Sequence, residues 1–227
     1  PFVAAPPLQR VASLDALRGL MAMFVAVYHH VVWTQAFAFD ATLNGAITVL
    51  GVYSVEGFFI IIGFCFFHIY RETKFHAREL CGFHVKRFAR IAPVYYLAVL
   101  LNLAFDQRVG PEFSWLKLIE NVTLTFGLVH PNHAMVLGGW SIGIEYVFYL
   151  AFPLLASRLR SPAILYPCTL ALSALAWPFI FDKVASQPEA ERFHAYVQIP
   201  NHAFLFLKGA APAEIYTRVR LRLRTGA

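Results

Sequence analysis

The 227-residue chain is 59% hydrophobic and only 14% charged, whereas a soluble domain carries about 25% charged residues, so water is excluded as the main solvent of its surface. The net charge of +6 arises from short basic clusters between apolar runs, with no continuous basic face, and nucleic acid is not an expected partner. Cys65, Cys81 and Cys168 are widely spaced and form no CxxC pair, which excludes a disulfide framework and a cysteine zinc site; no metal is expected.

A membrane span needs about 20 mainly apolar residues, and six windows meet that length with approximate ends: 17–36, 46–69, 91–105, 138–157, 162–181 and 197–216. The third is short and is expected to begin earlier. A basic start followed by an apolar run, with Ala36-Phe37-Ala38 beyond it, has the outline of a signal peptide. Tyr28-His29-His30 interrupts that run and five further apolar segments follow, so the first segment reads instead as a retained helix. A weaker run at 121–137 contains His130, Pro131, Asn132 and His133, which are costly in lipid, and is assigned to an outer loop or a re-entrant piece.

Cytoplasmic loops hold the excess of Lys and Arg. With the N-terminus inside, the inner side carries Arg10, Arg18, Arg71, Lys74, Arg78, Lys86, Arg87, Arg90, Arg158, Arg160, Arg218, Arg220, Arg222 and Arg224, and the outer side only Arg108, Lys117, Lys183 and Arg192. The expected architecture is therefore an all-α, polytopic transmembrane bundle of about six spanning helices with a cytoplasmic N-terminus. It is read as one domain over 1–227 in the inner (plasma) membrane.

Ionisable groups at membrane depth mark function by default, which singles out Arg18, His29, His30, Glu56, Glu145 and Lys208. Arg18 and His29 are eleven residues apart, which puts them about 20° from eclipsed and about 16 Å apart along one helix face. Ala22 and Ala26 lie between them, and small residues at this spacing suit a helix-packing seam as well as a groove for a thin chain. By helix rise, His29, Glu56 and Glu145 all fall in the middle third of the bilayer, so either glutamate is a possible partner for the imidazole. Arg87 and Arg90, three residues apart near Lys86 and His84, present a fork suited to phosphate; setting topology is the alternative role of such a cluster. Lys208 reads as a snorkelling lysine.

Four blocks in this order resemble the acyltransferase-3 family of membrane O-acyltransferases. Ser13-Leu14-Asp15-Ala16-Leu17-Arg18-Gly19-Leu20 with Tyr28-His29 is similar to the opening helix of that family. Val55-Glu56-Gly57-Phe58-Phe59 with Gly63-Phe64 is similar to its second helix. Lys86 to Tyr96 resembles its Arg-x-x-Arg-Ile-x-Pro-x-Tyr-Tyr block, and Trp140-Ser141-Ile142-Gly143-Ile144-Glu145 its Trp-Ser-x-x-x-Glu helix. The resemblance is strong over 13–155, fades over 162–196 and returns weakly at Phe204 to Tyr216.

What the resemblance implies is transfer of an acyl group, commonly acetyl, from cytoplasmic acyl-CoA to a hydroxyl of an extracytoplasmic glycan, such as lipopolysaccharide or exopolysaccharide, or of a lipid-linked sugar. Membrane lipids, acyl-CoA and a carbohydrate acceptor are the partners it implies. Arg18 and His29 become an essential pair, Arg87 and Arg90 donor-binding residues, and Glu145 a further functional position. His29 would act as general base, oriented by Glu56 or Glu145, or as acyl carrier. Departures from the family pattern are Ile62 where a serine is frequent, Glu56 where Asp is frequent, and fewer helices than the family's membrane domain, so an incomplete C-terminal end is expected. A transporter of a lipid-linked or small anionic solute, and an inactive truncated acyltransferase, are the competing readings; a transporter would carry paired interrupted helices in two halves, and no internal repeat is visible.

Overall fold

The computed structural model describes residues 11–34, 40–70, 73–105 and 114–225, and it is helical, with no strand among them. Among the described residues nine α-helices follow in chain order: α1 (Ala12–Tyr28), α2 (Ala41–Tyr70), α3 (Ala77–Phe105), α4 (Trp115–Thr123), α5 (Phe126–Val129), α6 (Gly139–Arg158), α7 (Pro162–Phe179), α8 (Glu189–Tyr196) and α9 (Ala203–Thr225). A π-helical turn, His29–Trp33, prolongs α1, and another, Ile180–Ala185, prolongs α7.

Among the described residues four helices are long and apolar enough to cross a membrane: Ala41–Tyr70, Ala77–Phe105, Gly139–Arg158 and Pro162–Ala185. They match the second to fifth expected windows, and the third begins earlier, as its shortness implies. The first window is helical, but its regular α-helix has 17 residues before the backbone opens into the π turn. The sixth is divided by a 3-10 turn at Ile199–Asn201, and Lys208, Glu214 and Arg218 interrupt the apolar stretch of α9. The Ala36-Phe37-Ala38 tripeptide and residues Arg10, Arg71 and Arg108 lie outside the described residues, and the side chains of Arg220, Arg222 and Arg224 are likewise not described.

Much of the spanning surface is apolar and uncovered. Only 11% of the α7 window and 17% of the α3 window is buried within the protein, and Val94, Phe105, Leu170 and Leu175 are 72% or more exposed. Apolar area on this scale requires a non-aqueous solvent, and the chain is a membrane protein. Prolines inside α3 (Pro93), α6 (Pro153) and α7 (Pro167, Pro178) are tolerated there as in membrane helices generally.

The chain divides into two compact units, 1–69 with 208–227, and 70–207. In the first, α1 approaches α2 where glycines leave room: a Cβ on Gly57 would meet the Met21 thioether at 3.1 Å, and one on Gly51 would collide with Tyr28. Ala22 and Ala26 are exposed, so the small residues of this seam come from α2. Gly209 of α9 likewise lies against the α2 backbone at Ile60 to Phe64, and His68 reaches Thr217 Oγ1 at 3.1 Å.

The second unit is built on Ala92, Tyr95, Val99, Leu124, Phe126 and Met135, with Phe88, Ile91, Ile142 and Tyr146 packed against them. Gly127 of α5 and Gly143 of α6 meet backbone to backbone, where a Cβ on either would collide with the other strand of chain. Leu124 ends α4 in the left-handed region at φ 58°, a conformation that costs a non-glycine residue about 1 kcal/mol or more. Its fully buried side chain offsets that cost.

Candidate active site

Within the first unit, α1 carries Arg18 and His29 on one face, both half-buried. Arg18 donates from Nη2 to Cys65 Sγ at 3.4 Å and stands 3.9 Å from Asp15 Oδ1, one turn back. The thiol and carboxylate hold the guanidinium against α2, beyond the anchoring role of a basic residue at a membrane edge. His29 stands where the α-helix passes into the π turn, an irregularity often found at functional sites. Its Nδ1 lies 2.8 Å from the Val25 carbonyl. A carbonyl only accepts, so Nδ1 carries the proton, and this assigns the neutral ring its lone pair at Nε2. The orienting group at Nδ1 is thus a backbone carbonyl one turn back. Glu56, half-buried on α2, lies within electrostatic reach of Lys208 on α9, which gives that lysine a partner that hydropathy alone does not suggest.

The second unit holds Arg87, Arg90 and Glu145. Arg87 Nη2 donates to the Tyr70 hydroxyl at 2.7 Å, and its guanidinium sits over the rings of Tyr70, Phe83 and Tyr149 at 5.6, 5.5 and 5.8 Å. Phe75 and Phe152 complete the aromatic wall. The Tyr149 hydroxyl donates to Glu145 Oε1 one turn earlier, and the charges of both Arg87 and Arg90 reach that phenol. Glu145 and Arg87 are therefore linked through one tyrosine. Arg90 is exposed, so the two arginines of the expected fork differ in surroundings: Arg87 is caged by rings, Arg90 is open to the medium.

A third constellation appears in the hydropathy pattern only as residues unsuited to lipid. Glu120, buried near the end of α4, accepts from His130 Nδ1 through Oε1 and from His133 Nδ1 through Oε2, each at 2.7 Å. The two rings stack with centroids 4.4 Å apart. Burial of the carboxyl works to raise its pKa, but the two imidazole N–H donors and their charge when protonated more than offset this, and Glu120 is held below the usual carboxylate range. The signal in the sequence is His-x-x-His ten residues after a glutamate.

Long apolar helices with largely uncovered surfaces define the class, a helical membrane protein. The chain belongs to the acyltransferase domain family, whose model matches residues 11–226. It is similar to the peptidoglycan O-acetyltransferase OatA of Listeria monocytogenes serovar 1/2a, at 24% identity over 235 residues, covering 93% of this chain and 35% of that protein. It is also similar to the acyltransferase MdmB of Streptomyces mycarofaciens, at 27% identity over 201 residues, 81% of this chain and 50% of the relative. A third relative, Protein 2 in the picA locus of Rhizobium radiobacter, is 33% identical over 102 residues, 44% of this chain and 48% of its own. The alignments thus span between about a third and a half of the length of these relatives. No solved structure matches the chain.

Proposed function

We infer that the chain transfers an acyl group, in the simplest case acetyl, from acyl-CoA on the cytoplasmic side to a hydroxyl of an extracytoplasmic glycan or lipid-linked sugar. Membership of the acyltransferase family supports the reaction class, and the peptidoglycan O-acetyltransferase activity for which the Listeria relative is named supports a glycan acceptor. The observation that carries the residue assignment is the Nδ1 contact of His29 with the Val25 carbonyl, which fixes the tautomer with its lone pair at Nε2.

In this reading Nε2 takes the proton of the acceptor hydroxyl as its oxygen attacks the thioester carbonyl. The tetrahedral intermediate collapses, the carbon–sulfur bond breaks, and the imidazolium returns its proton to the departing CoA thiolate. A sugar ester and free CoA result. Arg18 stabilises negative charge near the foot of the same helix. Arg87 and Arg90 favour the phosphates of the donor, and Glu145 positions Arg87 through Tyr149. Glu56 on α2 and Lys208 on α9 lie within electrostatic reach of each other. Residence in the inner membrane with a cytoplasmic N-terminus rests on the distribution of Lys and Arg.

The test is transfer of radiolabelled acetyl from acetyl-CoA to a glycan acceptor by the chain in lipid nanodiscs. His29→Ala is expected to reduce turnover by roughly 10²- to 10⁴-fold, the range for loss of a general base, with CoA binding retained. Transfer by the His29→Ala protein at the unaltered rate would sink the assignment. Acid quenching during turnover separates the two chemical routes: label held covalently at His29 marks an acyl carrier, and its absence with normal turnover marks direct transfer.

A further inference from the structure

The Glu120, His130 and His133 cluster has no part in the reaction just described, and its geometry exceeds what the fold requires of it. The segment after α5 is already secured by Asn121. That amide is 1% exposed; its Nδ2 donates to the carbonyls of Lys117 and His133 at 2.7 and 2.9 Å, and its Oδ1 accepts from Met135 N–H at 3.0 Å and from the Tyr95 hydroxyl. Backbone bonds from His130 N–H to the Phe126 carbonyl and from His133 N–H to the His130 carbonyl, each 2.8 Å, set the turn itself. With the backbone fixed by these contacts, two imidazoles are still gathered on the two oxygens of one carboxylate. Their ligand-capable atoms lie within 4.8 Å of one another.

We propose that Glu120, His130 and His133 form a binding site for a divalent transition-metal ion, zinc being the best match. Two imidazole nitrogens and a carboxylate are the donor set of three-ligand zinc sites, which leave a fourth position for water or substrate. Zinc bonds of about 2.0–2.1 Å to nitrogen and oxygen in a tetrahedron separate neighbouring donor atoms by about 3.3 Å, so the Glu120 oxygen that takes the metal opens its 2.7 Å contact to one imidazole by roughly 0.6 Å, while the other imidazole, bonded to the second oxygen at 2.7 Å, closes in from within 4.8 Å by side-chain rotation. The hydrogen bonds keep the ligands gathered in the metal-free protein. On binding, each neutral imidazole shifts its proton from Nδ1 to Nε2 and gives its Nδ1 lone pair to the metal, the carboxylate cancels one of the two positive charges, and water fills the fourth position. An entry path exists, since the His130 and His133 side chains are 40% and 30% exposed while Glu120 behind them is 8% exposed. The mixed nitrogen and oxygen set favours zinc, cobalt or nickel over magnesium and calcium, which take oxygen.

The test uses the full chain in nanodiscs, stripped with chelator, refilled with zinc alone or cobalt(II) alone, dialysed and measured for metal by mass spectrometry. The expected result is about one metal per chain, with the visible d–d absorption of four-coordinate cobalt(II), displaced by zinc. His133→Ala, His130→Ala and Glu120→Gln should each weaken binding by roughly tenfold or more, while His194→Ala on α8 binds as wild type. Helix content and a monodisperse elution profile identify variants that fold. Wild-type protein that is folded and takes up no more metal than the His130→Ala, His133→Ala double variant overturns the proposal. So does a cobalt spectrum that all three single variants leave unchanged. Loss of stability in the variants that is equal with and without zinc assigns the cluster a purely structural role and overturns it as well. None of these measurements depends on acyl transfer.

Discussion

Replacing Asn121 by alanine should damage the second unit more than any other single polar truncation in it. Four hydrogen bonds end on this one side chain. Two of its partners, the Tyr95 hydroxyl and the Met135 N–H, belong to residues that are 2% and 6% exposed. A buried donor left without an acceptor costs about 1–3 kcal/mol, so the two together cost roughly 2–6 kcal/mol. Tyr95→Phe is the calibrating variant. It removes one donor but leaves Asn121 Oδ1 satisfied by Met135, so only one modest bond is lost, about 1 kcal/mol. In the Tyr95→Phe background the phenol is already gone, and Asn121→Ala should then cost less by about 1 kcal/mol or more, a coupling read directly from a double-mutant cycle. Equilibrium unfolding of the purified protein in mixed micelles gives the energies, and protease cleavage between 130 and 138 reports whether the segment after α5 has come loose. Asn121→Ala no more destabilising than Tyr95→Phe, or strictly additive effects, would refute the view that this amide staples α4, α3 and the histidine turn together.

Gly143→Ala should cost about 1–3 kcal/mol or more by overpacking, because its Cβ would strike the Phe126 ring and the Gly127 backbone; Gly82→Ala on α3, with nothing within 4 Å of an added Cβ, should be neutral or slightly stabilising, and fluorescence-detected elution compares their folded yields. Arg90→Ala is expected to raise KM for acetyl-CoA several-fold while moving unfolding by less than about 0.5 kcal/mol, as for an exposed residue. Arg87→Ala should lower stability as well, by about 1–2 kcal/mol, since cation–π contacts and a charged hydrogen bond are lost; equal effects of the two variants on stability would count against the ring cage. Arg18→Lys tests the bond to Cys65: turnover retained at the wild-type level would show that charge alone suffices at this position.

The spanning helices were legible because apolar length is a local property of the chain, and α2, α3, α6 and α7 fall where hydropathy places them. Helix ends and partners depend on contacts distant in sequence. The surroundings of Arg87 illustrate this, since Tyr70, Phe83 and Tyr149 come from three helices, while its own neighbours Lys86 and Arg90 suggest only a basic fork. The small-residue seam was expected on α1, where Ala22 and Ala26 are adjacent in the helical pattern, but the close approach is made by Gly51 and Gly57 of α2. Lys208 gains a partner in Glu56, 152 positions earlier in the chain. His130 and His133 were read through their cost in lipid, a criterion that hides what they do once folded beside Glu120.

A common physical rule runs through these sites. Three ionisable groups that stand where water is scarce are held by something nearby in the chain: His29 by the Val25 carbonyl one turn back, Glu145 by Tyr149 one turn on, Glu120 by two imidazoles across a short turn. Local partners meet the desolvation cost without committing the group to a distant helix. A carbonyl does this differently from a carboxylate. It fixes the tautomer of His29 without placing a negative charge beside the ring. Trapping the imidazole at Glu120, where a carboxylate does accept from Nδ1, gives the opposite outcome: a fixed, gathered donor set, suited to holding a cation and poorly suited to shuttling a proton.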